Sequence, residues 1–363
     1  MHILLVSDAW HPQVSGVVRT WTSVQRVLAG WGHTLEVIGP SGSLTIPAPS
    51  ERALRLCINP GRHLRRLLGA RVPDALHIAT EGPLGMAARS LALARGWRFT
   101  TSFHTAFPEY LQLRMGVPAA LTYRYLRWFH RPSQKVLVPT HTLRTQLAAH
   151  GFANMQVWAR GVDARQFAPD DGLALAGLPR PIHLSVGRLA REKNLDAFLA
   201  LELPGSKVVA GDGPDAARLR KQYPDAVFLG MVPHDRLAPL YSAADVFVFP
   251  SLTDTFGLVM LEAMACGTPV AALPGAAPCA VVEEGVTGCV HADLARACHG
   301  ALGLDRQQVR ERTLGRTWDV IAGELLDALV PLAPAHRTAD APQVAGIQCG
   351  LPEERCDGSR VVR

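Results

Sequence analysis

Short apolar runs alternate with helical stretches through the first half of the chain, the pattern of a parallel sheet covered on both faces. Strands are predicted at 2–7, 34–38, 75–79, 98–103 and 135–138. A Pro/Gly-rich break at 172–181 interrupts the rhythm, which restarts with strands predicted at 182–186, 207–210, 227–229, 246–249 and 270–273. The expected fold class is α/β, with two doubly wound domains at 1–174 and 175–314. In such sheets ligands bind beyond the carboxyl ends of the strands, and a two-lobed protein puts its main cleft between the lobes. Near the end the period changes: Trp318, Ile321, Leu325 and Leu329 fall at helical spacing within 315–331, and Pro331 closes the segment. The stretch 332–363 is polar, Gly/Pro-rich and aperiodic, and is expected to be a disordered tail.

A chain of 363 residues, 48% of them hydrophobic, has room for two cores and is not disordered as a whole. The apolar run at 2–6 meets Asp8 too soon for a secretory leader. The uncharged stretch 263–282 holds Pro269, Pro274 and Pro278 with Gly267 and Gly275, so it is not a membrane-spanning helix. None of the seven cysteines forms a C-x-x-C pair, which reads as free thiols in a reducing cytoplasm. The expectation is a cytoplasmic protein, soluble or peripheral on the membrane. Charge divides unevenly: 1–150 holds 17 basic and 6 acidic residues, 151–363 holds 20 and 25. A basic half suits nucleic acid, an anionic membrane or anionic ligands, or is a solvated face without a partner.

The densest chemical signal covers 250–267. A buried strand ends at Phe249, a polar loop carries Asp254, and a helix is expected to open near Gly257, its free N–H groups suited to a phosphate or sugar oxygen. Asp254 and Glu262 would stand roughly 80° apart on one helix. With Asp254 in the loop, both reach one ligand at different heights. The plainer alternative makes Asp254 a cap and Glu262 an acid of a core helix, where an unpaired carboxylate is costly. After the strand 182–186, Gly187-Arg188-Leu189 precedes Glu192-Lys193-Asn194. Arg188 and Lys193 suit a diphosphate, or are surface charges. Gly16, between the first strand and first helix, allows backbone to approach a ligand. His104 ends a predicted strand where ligands gather, although a lone His is often structural. Glu81 follows another strand, as a hydroxyl partner or a cap. No metal-ligand spacing emerges.

Gly211-Asp212-Gly213-Pro214-Asp215-Ala216 fits the dinucleotide fingerprint, with Asp235 about 20 residues on, so a nicotinamide oxidoreductase is a rival. The match falls on the second strand of the second domain and reads better as a tight turn lining the cleft.

Together these residues resemble the retaining glycosyltransferases of family four, with GT-B architecture. Val186-Gly187-Arg188-Leu189 with Glu192-Lys193-Asn194, Ala210-Gly211-Asp212-Gly213-Pro214, the stretch 243–251 and the stretch 254–268 occur in the family's order. The likeness extends to about Leu329. Phe103-His104-Thr105, Pro108-Glu109-Tyr110, Arg160-Gly161-Val162-Asp163 and Thr253-Asp254-Thr255-Phe256-Gly257 resemble the α-mannosyltransferases and sulfoquinovosyl- or glucosyltransferases that modify lipid acceptors.

The resemblance implies that Arg188 and Lys193 bind a donor diphosphate approached by Gly16, that Asp254 holds sugar hydroxyls and that Glu262 holds the ribose. Backbone at Phe256, Gly257 and Leu258 would meet sugar and β-phosphate, Gly211 would line the donor site, and Met231 and Val232 would meet the base. It implies His104 beside the anomeric carbon, with Glu81, Thr105 and Tyr110 toward the acceptor. Asp254 departs from the family's usual Glu, and Ser15-Gly16 from its frequent Gly-Gly. The implied reaction moves a hexosyl group, mannosyl first, from a nucleoside-diphosphate sugar to a lipid-linked or glycan acceptor, with no cofactor and no metal. UDP-glucose or UDP-sulfoquinovose are the alternative donors, and a non-catalytic sugar-nucleotide binder is the rival outside catalysis. The segment 315–331 would cross back to the first domain. Arg62, Arg65 and Arg66 among leucines, and Arg124, Arg127 and Arg131 beside Tyr125, Trp128 and Phe129, suit an anionic membrane surface or are two packed amphipathic helices. No nucleic-acid motif accompanies the charge.

Overall fold

The computed structural model describes residues 1–332 apart from Val14, Ser50, Ala70, Gly172 and Leu252, and leaves out the side chains of 51–53. All but the first residue of the expected tail at 332–363 lies outside the described residues.

The first lobe is built on β1 (His2–Val6), β2 (Thr34–Ile38), β5 (Ala75–Ile78), β6 (Thr100–Ser102), β7 (Lys135–Val138) and β8 (Met155–Val157), with β3 (Thr45–Ala48) and β4 (Glu51–Cys57) as a separate antiparallel hairpin. The second is built on β9 (Ile182–Val186), β10 (Ser206–Ala210), β11 (Val227–Gly230), β12 (Val246–Phe249), β13 (Val270–Ala272) and β14 (Gly288–Val290). Both six-stranded sheets are parallel, in the orders β2-β1-β5-β6-β7-β8 and β11-β10-β9-β12-β13-β14. In register, Leu5 lies between Val37 and His77, and Leu184 between Val208 and Phe247. The winding direction reverses between β1 and β5 and between β9 and β12, which opens a crevice above those carboxyl ends.

Alternation along β1 divides the first core. Ile3 and Leu5 pack with Trp21, Val24 and Leu28 on one face, while Leu4 and Val6 pack with Leu64, Leu84, Phe99 and Phe129 on the other. The first of these faces is completed by the helix Trp318–Ala328, whose Trp318, Ile321 and Leu325 are buried in it. Thr317 caps that helix, and Trp158 Nε1 donates to the Ile321 carbonyl at 2.9 Å. The chain thus crosses back to the first lobe after finishing the second.

The predicted strand at 98–103 is shorter, running Thr100–Ser102. The edge strands β8 and β14, three residues each, and the hairpin β3–β4 were not predicted. Three residues are too few to show a period.

Candidate active site

The loops after β9 and β12 are stitched together. Asn194, in the left-handed region at φ 52°, ends the turn Arg191–Lys193 and donates through Nδ2 to the Pro250 carbonyl, while Ser251 Oγ donates to the Glu192 carbonyl. This brings Lys193 Nζ to 2.7 Å from both Asp254 carboxylate oxygens. Arg188 borders an adjoining pocket with Gly187, Lys193 and Ser251. The helix Leu258–Ala265 starts beside them from Gly257, at φ 77°, where a Cβ would lie 2.8 Å from Met260 Cε. The left-handed backbone there favours glycine, and the turn leaves Phe256, Gly257 and Leu258 lining the cleft.

The opposite wall comes from the first lobe. Ser15 caps the helix Gly16–Gly30, so Gly16 is its first residue, and Gly16, Arg19, His104, Thr105 and Arg160 share a cavity of about 270 Å³ with Lys193 and Asp254. The Thr255 hydroxyl donates across the cleft to the His104 carbonyl at 2.6 Å. On the rim Arg114 forms a close pair with Glu192, 3.0 Å apart.

Glu262 is buried behind this wall. It accepts from His234 Nε2 and the Tyr241 hydroxyl, each at 2.9 Å, and from Arg19 at 3.3 Å across the lobes. Burial pushes its carboxyl up, but the His234 hydrogen bond and the charge of Arg19 outweigh it and hold the group below its ordinary value. His234 and Arg19 share its Oε1 and Tyr241 holds its Oε2, which leaves acceptor capacity on the carboxylate.

Several expected residues stand elsewhere. Glu81 is buried, bonded to His130 Nε2 at 3.1 Å, with its carbonyl accepting from Tyr125. It does not line the cleft. Tyr110 packs against Phe107 and under the Arg114 guanidinium near the rim. Met231 is exposed and Val232 half-buried, just before His234. At Gly211 a Cβ would fall 1.8 Å from the Gly187 carbonyl oxygen, and at Gly213 2.3 Å from that of Leu189. These glycines let the turn after β10 pack on the loop after β9, which accounts for them without a dinucleotide. Sequence reasoning gave no role to Arg19, Trp21, Arg160, His234 or Tyr241. The available signal was position: Arg19 lies one helical turn beyond Gly16. Among the described residues no cluster of three His, Cys, Asp or Glu side chains is placed to hold a metal.

Two parallel-sheet lobes facing across such a cleft are the GT-B architecture. Residues 14–166 match the family described as Glycosyltransferase Family 4, and 180–302 match Glycosyl transferases group 1. A GDP-mannose-dependent alpha-mannosyltransferase of Mycobacterium tuberculosis is 31% identical over 90% of this chain and 95% of its own length. The sulfoquinovosyl transferase of Arabidopsis thaliana is 31% identical over 68% of this chain and 52% of its own. Among solved structures, sucrose-phosphate synthase from Thermosynechococcus elongatus superposes with a TM-score of 0.76 at 20% identity, covering 90% of this chain and 98% of that one. The chain belongs to family four of the glycosyltransferases.

Proposed function

We propose that this protein transfers a mannosyl group from GDP-mannose, with retained anomeric configuration, to a lipid-linked or glycan acceptor. The observation that carries the reading is the Lys193–Asp254 pair set at the start of the helix Leu258–Ala265 and facing His104 across the cleft. The likeness to GDP-mannose-dependent relatives supports the donor. In this reading the second lobe takes the donor and the first the acceptor. Arg188, Lys193 and the helix start stabilise the departing diphosphate, the work a metal does elsewhere. Asp254 orients Lys193 and meets sugar hydroxyls, and His104 stands beside the anomeric carbon. Thr105 faces the acceptor side from the cleft wall, whereas Tyr110, packed on Phe107 and Arg114, and Glu81 act through the first lobe's packing.

The acceptor's lipid would be reached at an anionic membrane on the cytoplasmic side. No described helix is long and apolar enough to cross a membrane. The helix Ala119–His130 exposes Leu121, Tyr125 and Trp128 among Arg124 and Arg127, which supports a peripheral contact.

The test is a thermal-shift panel of GDP, GDP-mannose, UDP, UDP-glucose and NADH, followed by transfer of radiolabelled sugar to extracted lipid. Stabilisation by GDP and label from GDP-mannose in the lipid are expected. A response to UDP-sugars alone keeps the enzyme class and replaces the donor. Binding without transfer to lipid or glycan overturns the catalytic reading.

A further inference from the structure

Among the described residues the buried acids of the second lobe are Glu192 and Glu262, and each takes an arginine from the first lobe. Glu262 also has His234 and Tyr241 within its own lobe, whereas the Glu192 carboxylate is held by Arg114. Arg114 lies in the last turn of the helix Phe107–Met115, over the Tyr110 ring at 4.9 Å. Its Nη2 donates to Oε1 at 3.2 Å and to Oε2 at 3.0 Å, and its Nε donates to Oε2 at 3.2 Å. The turn Arg191–Lys193 does not need this pair for its shape, because the Asn194 and Ser251 bonds already hold it to the loop after β12. What Arg114 adds is charge. On the second lobe's side of the cleft Arg188 and Lys193 are matched one for one by Glu192 and Asp254, while Arg191 is exposed to solvent. A buried carboxylate next in sequence to Lys193 repels an incoming diphosphate through a poorly screening interior unless a cation neutralises it.

We propose that Arg114 is a positioning residue that acts through Glu192: by neutralising that carboxylate it leaves the loop of Arg188 and Lys193 with a net positive charge for a diphosphate, and it does so only while the lobes are together. The inference rests on the diphosphate role given above to Arg188 and Lys193. With the lobes apart Glu192 loses its guanidinium, and the neighbouring cations of its own loop are the ones a diphosphate needs. The diphosphate therefore binds the closed arrangement more tightly than the open one, and by linkage its binding draws the lobes together. The second lobe's anion site is in this sense completed by a side chain of the first lobe that need not touch the ligand.

The experiment is calorimetric titration of the full chain with inorganic pyrophosphate and with GDP. Arg114→Gln should weaken both about tenfold at low salt, and the loss should shrink at high salt. Glu192→Gln alone should bind at least as tightly as wild type. Adding Glu192→Gln to Arg114→Gln should return the affinity close to wild type, because the charge that needed neutralising is gone, and Arg114→Lys should stay close to wild type as well. Unchanged affinity in Arg114→Gln overturns the proposal, and so does a double variant as weak as the single one, which is what a merely structural role predicts. If Arg114→Gln does not fold, Glu192→Gln decides, since weaker binding in that variant overturns the proposal by itself. A wild-type chain that does not bind pyrophosphate overturns it too. Pyrophosphate carries neither base nor sugar, so this charge pattern without transfer from GDP-mannose upholds the proposal while overturning the catalytic reading, and the two fail separately.

Discussion

The two lobes share one winding plan and differ in what lies beneath their carboxyl ends. Under the first lobe's end the interior is polar. Asp8 accepts from the backbone of Leu84 and Gly85 and from Thr80, Glu81 meets His130, and His77 meets Thr100 and Ser102, all buried. Beneath the second lobe's end, β12 and β13 are apolar throughout, and Glu262 is the acid buried on the helix Leu258–Ala265. The second lobe thus presents backbone and a few charges from a rigid apolar base, while the first holds its site residues through a hydrogen-bonded interior. The cleft-facing pair Lys193–Asp254 stands on the second side, while the buried acids Asp8 and Glu81 of the first are taken up by backbone N–H groups and His130.

Lys193→Ala is the sharpest test of that division. Removing one group that stabilises developing charge lowers kcat/KM by about 10²–10³, while the melting temperature barely moves because the pair with Asp254 is partly solvated. Steady-state kinetics beside a melting curve check both halves. Glu81→Ala is the converse. Leaving His130 without its buried partner costs about 1–3 kcal/mol in urea unfolding, while the folded fraction keeps its turnover. A loss of turnover without a loss of stability would move Glu81 back into the site.

Acid should weaken the chain through its buried histidines. His77, lowered to about 3 by burial, and His183, lowered by burial, are neutral when folded and ordinary when unfolded. The unfolded state therefore binds more protons below about pH 6.5, and stability falls as pH drops from there. The slope is about 1.4 kcal/mol per pH unit from His77, with a contribution of the same sign from His183, readable from urea midpoints between pH 7 and 5. His183 belongs to the second lobe, and among the described residues neither of its ring nitrogens reaches a partner in good hydrogen-bond geometry. His183→Leu should accordingly stabilise by about 1 kcal/mol and flatten part of the acid slope, with no change in kinetics.

The strands and the two-lobe plan were legible because buried parallel strands are continuous apolar runs. The Lys193–Asp254 side of the cleft was legible for a related reason: its residues sit just past strands in one stretch of sequence. Glu81 misled because it too follows a strand, and nothing local reveals that His130, 49 residues on, takes its carboxylate. Arg160 and Trp21 went unread because their meaning lies in what they face across the fold. The partners of Glu262 come from helices and turns with unrelated local patterns, so only the assembled wall shows them.

The returning helix also sets an order of events during synthesis. When residue 174 leaves the ribosome, every strand of the first sheet exists, yet Trp21, Trp158 and Leu28 still lack the side chains of Trp318, Ile321 and Leu325 that cover them. The first lobe waits about 150 residues for its missing wall while the second lobe is made. The amino-terminal half is thus finished last, and a chain truncated before Thr317 would leave a tryptophan-rich seam open to chaperones and proteases.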